Sequence, residues 1–156
     1  MIQMTADEKR IVIFKIEDEE FATSISQVER ILEFEKITKI PDAPQYLMGL
    51  INYQGRIIPI IDLRKRFNLS GTGIANETKI IIAKQGEGDI GLIVDAVSEV
   101  ADISEDIISS PPEIISGIIK KYIKAIIKID SRIIIYLDLS KILNFDERET
   151  LNEIAH

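Results

Sequence analysis

The sequence predicts an all-β protein made of two similar small barrels packed together, and three observations predict it. About ten short apolar stretches alternate with turns and brief helical caps, too closely spaced for the helices that crossovers between parallel strands need, which disfavours a doubly wound α/β fold. The stretch GLINYQGRIIPIIDLRKRF at 49–67 returns as AIIKIDSRIIIYLDLSKIL at 125–143, pairing Ile51 with Ile127, Arg56 with Arg132, Asp62 with Asp138 and Lys65 with Lys141, an offset of 76. A second register, offset by 69, pairs Phe21 with Ile90, Ala22 with Gly91, Ile25 with Val94 and Val28 with Val97. Two registers that differ by seven residues describe one duplicated unit with a resized connection.

Each element follows from its residues. RIVIFKI at 10–16 is β-branched and apolar, EDEE at 17–20 turns the chain, and FATSI at 21–25 alternates, giving a hairpin. Ser26 with Glu29 fits a capping box, so QVERIL is expected to form a helical turn or two, with Val28 and Ile31 on one face. The chain then extends through EFEKITKI, and Pro41 and Pro44 enforce an irregular crossing. GLINY and RIIPII form a second hairpin around Gln54 and Gly55, after which Asp62 is placed to cap LRKRF. Gly55 is expected to adopt a positive φ or to let a partner approach, and Pro59 to mark a strand position whose N–H no ladder needs.

NLSGTGIANET at 68–78 has no periodicity and reads as a linker. The order then restarts with KIIIAKQ, the turn GEGD and IGLIVDAVSEV, crosses a long Pro- and Gly-marked connection, and closes with the hairpin YIKAIIKI and RIIIYLD. The expected organisation is an N-terminal tail at 1–9, a first half at 10–70, a linker at 71–78, a second half at 79–145 and an acidic tail at 146–156. Equivalent strands of such a duplication are open to exchange between barrels. The inward halves of KIIIA and RIIIYL, Ile134 among them, are expected in the core.

Composition narrows the function. The 156 residues include no cysteine, which excludes disulfides and thiolate metal sites. The isoleucine runs are broken well before the ~20 apolar residues of a membrane helix, and the opening residues have no signal-like apolar segment, so a cytosolic setting is expected. A net charge of −7 and a pI of about 4.8 oppose binding to a phosphate backbone.

Catalytic chemistry finds little purchase. The single histidine is His156, the last residue. Asp62, Asp95 and Asp138 each follow an apolar strand, where an acid–base or metal carboxylate can stand; helix capping accounts for Asp62 and Asp138, and a strand-end turn for Asp95. GTG at 71–73 and GEG at 86–88 lack the strand–loop–helix context and Gly-Lys-Ser/Thr ending of a phosphate cradle. RKRF at 64–67 reads as the polar face of one helical turn. No catalytic, cofactor or metal residue is therefore expected; a small-ligand barrel using Asp95 or Asp62, or a nucleic-acid-binding barrel, is the alternative.

MGLINYQGRIIPIIDLRKRF strongly resembles the signature of the CheW-type chemotaxis coupling proteins, and blocks from about residue 10 to 143 resemble the rest of that family in order. The resemblance implies two five-stranded SH3-like barrels with pseudo-symmetry. It also implies a non-enzymatic adaptor, located at receptor arrays on the inner face of the membrane, that joins chemoreceptor cytoplasmic tips to the regulatory domain of a CheA-type histidine kinase. Family positions tied to these partners fall on Val28, Arg30, Ile31, Gly49, Gln54, Gly55, Gly91, Val97 and Val100. The family usually has arginine where this chain has Gln54, an exchange of a charged fork for an amide, and often glycine where it has Ala125.

Overall fold

The computed structural model describes residues 4–67, 77–85, 88–112, 121–143 and 147. The fold is all-β with a few short helices. Its strands are β1 (Arg10–Ile16), β2 (Glu19–Ser24), β3 (Val28–Glu33), β4 (Leu47–Tyr53), β5 (Arg56–Asp62), β6 (Lys79–Gln85), β7 (Gly88–Val94), β8 (Ala96–Asp102), β9 (Ile108–Ser109), β10 (Ile123–Ile129) and β11 (Arg132–Leu137). One four-residue helix, α1 (Leu63–Arg66), follows β5.

The strands form a six-stranded sheet, β8-β1-β2-β11-β10-β9, and a five-stranded sheet, β3-β6-β7-β5-β4. Each sheet draws strands from both halves of the sequence: β3 crosses to pair with β6, and β8 crosses back to pair with β1. Both sheets curl on themselves. Thr38, beyond β3, exchanges hydrogen bonds of 2.9 and 2.8 Å with Leu50 on β4, which joins the two edges of the five-stranded sheet. In the other sheet the chain leaves edge strand β8, makes a 3-10 turn at Glu105–Ile107 and adds β9 beside β10.

Three apolar clusters result. Ile51, Ile58, Ile60, Ile80, Ile82 and Ile93 fill the five-stranded barrel. Ile11, Ile13, Ala22, Ala125, Ile127 and Ile134 belong to the interior of the other, together with Met4 and Tyr136. The largest cluster lies between the sheets and joins Phe14, Ile16 and Phe21 of one to Ile81, Leu92 and Val94 of the other. The run KIIIA is therefore buried on both faces, not only on an inward half: Ile80 and Ile82 face the barrel interior, while Ile81 and Ala83 face the junction. RIIIYL keeps the alternation, with Ile134 fully buried and Ile133 62% exposed.

The duplication reaches the irregularities. Pairing registers shift at Glu29 in β3 and at Ser98 in β8, positions related by the offset of 69, and at Met48 in β4 and Lys124 in β10, related by the offset of 76. These are β-bulges, each adding one unpaired residue to its strand. The helical turn expected at QVERIL is absent. Ser24, not Ser26, caps a single 3-10 turn at Ile25–Gln27, and the chain continues as β3. Asp62 and Asp138 cap as expected, each accepting from the backbone N–H two residues on at 3.0 Å. His156, the linker residues 71–76, most of the acidic tail and Gly86 lie outside the described residues.

Candidate functional site

Val28, Arg30 and Ile31 lie on β3, an edge strand of the ladder order. The bulge at Glu29 sets Val28 opposite Ala83 and Ile31 opposite Ile81, two positions on one face of β6, so residues three apart share a face although the segment is a strand. Both are half-buried against the junction cluster. On β8 the bulge at Ser98 does the same for Val97 and Val100, opposite Phe14 and Val12. Val97 packs on the same cluster, and Val100 is 54% exposed. None of the four is a barrel-core residue: Val28, Ile31 and Val97 sit at the rim of the inter-sheet core, and Val100 is exposed on the same face of β8 as Val97.

Gln54 and Gly55 form the exposed two-residue turn between β4 and β5, with φ values of 51° and 79°. Positive φ at both central positions belongs to a type I′ hairpin turn, whose hand of twist matches the strands, and glycine is favoured there. Asn52 Oδ1 accepts from the Gly55 N–H at 3.1 Å. In the second copy only Asp130 has a positive φ (53°), so Ser131 serves where Gly55 stands in the first. Pro59 lies opposite Leu50, whose N–H and C=O both point away to Thr38; this is a non-hydrogen-bonded pair in which no donor is needed towards β4.

Gly49 and Gly91 are buried, and neither presents a surface to a partner. A Cβ on Gly49 would lie 2.3 Å from the Thr38 carbonyl oxygen, at the bridge that closes the barrel. A Cβ on Gly91 would meet Ile60 Cδ1 at 2.4 Å, inside the same barrel. Their places in the fold are explained by packing, and any effect on binding passes through the backbone they hold.

An ion cluster missed by the sequence reading ties β3 to the hairpin tip. Arg56 donates to Asp89 at 2.6 Å and to Glu29 at 3.2 Å, and both Arg30 and Arg56 lie over the Tyr53 ring, 5.9 and 5.7 Å from its centroid. The hydrogen bond from Arg56 holds the Glu29 carboxyl below its ordinary range, whereas burial, with Glu29 beside it, pushes Asp89 up. The signal was present in the repeat: Arg56 and Arg132 are partners at offset 76, and Asp89 and Glu20 at offset 69.

The alternative sites dissolve on inspection of their carboxylates and cations. Asp62 and Asp95 flank the buried Arg64 guanidinium at 3.4 and 3.7 Å, and Asp95 also accepts from the Glu17 N–H at 2.5 Å. RKRF is helical but not a solvated face: Arg66 pairs with Glu147 and lies over Tyr46 and Tyr122, and Phe67 stacks on Phe21. Among the described residues no group of three His, Cys, Asp or Glu side chains is disposed to hold a metal, and no helix is long and apolar enough to cross a membrane.

The CheW-like domain family matches residues 10–147. The chain is 33% identical to the chemotaxis protein CheW of Bacillus subtilis over 150 residues, covering 94% of this chain and 96% of that protein. It is 32% identical over 142 residues to a probable chemotaxis protein CheW of Rhizobium etli, covering 91% and 92%. Among solved structures, the scaffolding protein TtCheW from Thermoanaerobacter tengcongensis superposes with a TM-score of 0.82 at 37% identity, over 90% of this chain and 97% of that one. The two-sheet architecture and these matches agree: the chain belongs to the CheW family of chemotaxis scaffold proteins, which are adaptors and not enzymes.

Proposed function

We propose that this protein couples chemoreceptor cytoplasmic tips to the regulatory domain of a CheA-type histidine kinase, at receptor arrays on the cytoplasmic face of the membrane. One observation carries the reading. Val28 and Ile31 from one barrel and Val97 from the other reach the rim of a shared apolar core, with Val100 exposed on the same face of β8 as Val97, through bulges that repeat in the duplicated halves. Such a rim offers an apolar strip continuous with the junction, and a receptor tip, as a helical hairpin, has an apolar stripe to lay against it. Arg30, Gln54 and Gly55 add a polar border, in which Arg30 is an exposed cation with no carboxylate partner among the described residues. Gly49 and Gly91 support the site from within.

The test is co-sedimentation with the kinase regulatory domain and with a receptor tip, separately and together, using wild type and Val100→Glu. Val100 is more than half exposed, so a charge there is tolerated by the fold but must be desolvated against an apolar partner. Wild type should sediment with both partners and Val100→Glu should lose at least one. Full binding of the variant to both, with an unchanged melting curve, removes the rim from the coupling site.

A further inference from the structure

A pocket of about 70 Å³ opens beside the 3-10 turn that precedes β3, lined by Glu8, Ser24, Ser26, Lys124, Tyr136 and Asp138 with Gln27 and Leu137. The duplication explains why it is there. Asp138 is the partner of Asp62 and Ser140 the partner of Arg64 at offset 76, while Ser26 is the partner of Asp95 at offset 69. In the five-stranded half the Arg64 side chain turns back from α1 over its capping aspartate and reaches Asp95. In the other half the capping aspartate and its 3-10 turn remain, but a serine replaces the long side chain. The space that a guanidinium fills in one half is left open in the other.

We propose that this pocket is a guanidinium site, taking the head of an arginine side chain from a protein docked beside β3. The lining carries the needed acceptors. Both hydrogen bonds that the Asp138 carboxylate accepts among the described residues, from the Ser140 N–H and hydroxyl, end on Oδ1, so Oδ2 is open. Ser24 donates its hydroxyl proton to the Asp7 carbonyl and accepts from the Ser26 N–H and hydroxyl, which leaves the Ser26 oxygen as a further acceptor. Two carboxylates and one ammonium line the pocket, an excess of one negative charge. Lys124 does not cancel it at Asp138: its ammonium pairs with Glu8 and lies over the Tyr136 ring. A planar fork of donors suits a carboxylate next to hydroxyls better than a compact ammonium does. The volume suits a single guanidinium head, or a few waters in its absence.

The chemistry of the pocket stands apart from the coupling role; the source of the arginine rests on it, because Gln27 of the pocket is followed directly by Val28. Two measurements separate them. Titrating the whole chain with methylguanidinium, followed by backbone amide shifts, should give saturable changes at residues 24–27 and 138–140 that methylammonium reproduces at least fivefold more weakly. Asp138→Asn should weaken them at least tenfold. Ser140→Arg, which supplies the side chain found at Arg64, should abolish them and raise the melting temperature. Absence of saturable shifts, or shifts that persist in a folded Ser140→Arg protein, overturns the site. In co-sedimentation, Ser140→Arg should lose at least tenfold in affinity for the receptor tip or the kinase domain. Unchanged affinity for both partners, with wild type binding normally, overturns the docked arginine as the source, and failure of wild type to bind either refutes that source with the coupling role while leaving the methylguanidinium result intact.

Discussion

Arg56 and Arg132 are the hubs of two equivalent ion clusters, one on each barrel. Arg56 binds Asp89 and Glu29; Arg132 binds Glu20, the repeat partner of Asp89, and Glu99. In each case the arginine begins the second strand of a hairpin and stands two residues before a buried isoleucine, Ile58 or Ile134. Strand alternation puts the guanidinium on the side of the barrel interior, at its end. The two clusters differ in where the third group comes from: the bulge residue Glu29 in one, the residue after the bulge, Glu99, in the other.

The Arg132 cluster gives a pH prediction. Two guanidinium nitrogens meet the two Glu20 oxygens at 2.9 and 2.6 Å, and this hydrogen bonding holds the Glu20 carboxyl below its ordinary range. A depressed folded value means that the pair's stabilisation is complete above the unfolded pKa, ~4.3, and is lost as pH falls through the folded one. Glu20→Gln should therefore cost about 0.5–1 kcal/mol at pH 7. Urea unfolding at pH 7 and near pH 3 checks this: the gap between wild type and variant should close at the lower pH. An equal gap at both would assign the loss to packing. The Arg56 cluster should show a weaker dependence, since Glu29 and Asp89 are shifted in opposite directions.

Adjacent isoleucines of β11 should respond very differently to truncation. Ile134 is fully buried in the barrel interior, so Ile134→Ala leaves a cavity and should cost ~2–5 kcal/mol. Ile133 is 62% exposed, and Ile133→Ala should cost about 0.5 kcal/mol or less. Denaturant midpoints for the two variants decide it, and similar losses would mean that the strand faces are assigned wrongly.

Much of this architecture was legible because a strand hairpin writes its register into the sequence. The offset of 76 carries β4 at 47–53 onto β10 at 123–129 without adjustment, and the turn residues between the strands mark both ends. The failure at β3 has an equally definite cause. A bulge at Glu29 puts Val28 and Ile31 on one face, and apolar residues three apart imitate a helix; Ser26 with Glu29 then imitated its cap. The sequence left strand exchange open and could not choose the partition, since β3 pairing with β6 needs the same residue types as β3 pairing with β1. The burial of Gly91 was hidden too, because only the fold places Ile60 over it.

The two buried glycines should not be equivalent. At Gly49 the added methyl of alanine meets a backbone oxygen and φ is 152°, so relief requires opening the Thr38–Leu50 bridge that closes the barrel. At Gly91 it meets side-chain atoms, Ile60 Cδ1 at 2.4 Å and Ile80 Cγ2 at 3.1 Å, and a side-chain end gives way at lower cost than a backbone carbonyl even in a packed core. Gly49→Ala should cost ~2–4 kcal/mol and Gly91→Ala ~1–3 kcal/mol, within the ranges for strained or overpacked sites. Thermal unfolding should rank Gly49→Ala lower. The reverse order would show that the closing bridge is dispensable.

Gln54 separates affinity from folding most cleanly. It is exposed at the tip of the β4–β5 turn and already tolerates a φ of 51°, so Gln54→Arg changes the chemistry of the tip without touching a packed atom. The neighbouring Arg56 is engaged by two carboxylates and Arg30 lies over Tyr53, so position 54 is where a new free charge would be presented. An amide makes neutral hydrogen bonds, whereas a guanidinium makes charge-assisted ones, a difference of ~1 kcal/mol or about fivefold in affinity. If the tip faces an acidic or carbonyl-rich patch of the receptor, Gln54→Arg should tighten receptor binding by that factor at low salt, lose the gain as ionic strength rises, and leave the melting temperature unchanged. Calorimetric titration with the receptor tip at two salt concentrations reads both effects. A gain that does not depend on salt would point to shape instead of charge, and no change at either concentration would place Gln54 outside the receptor contact.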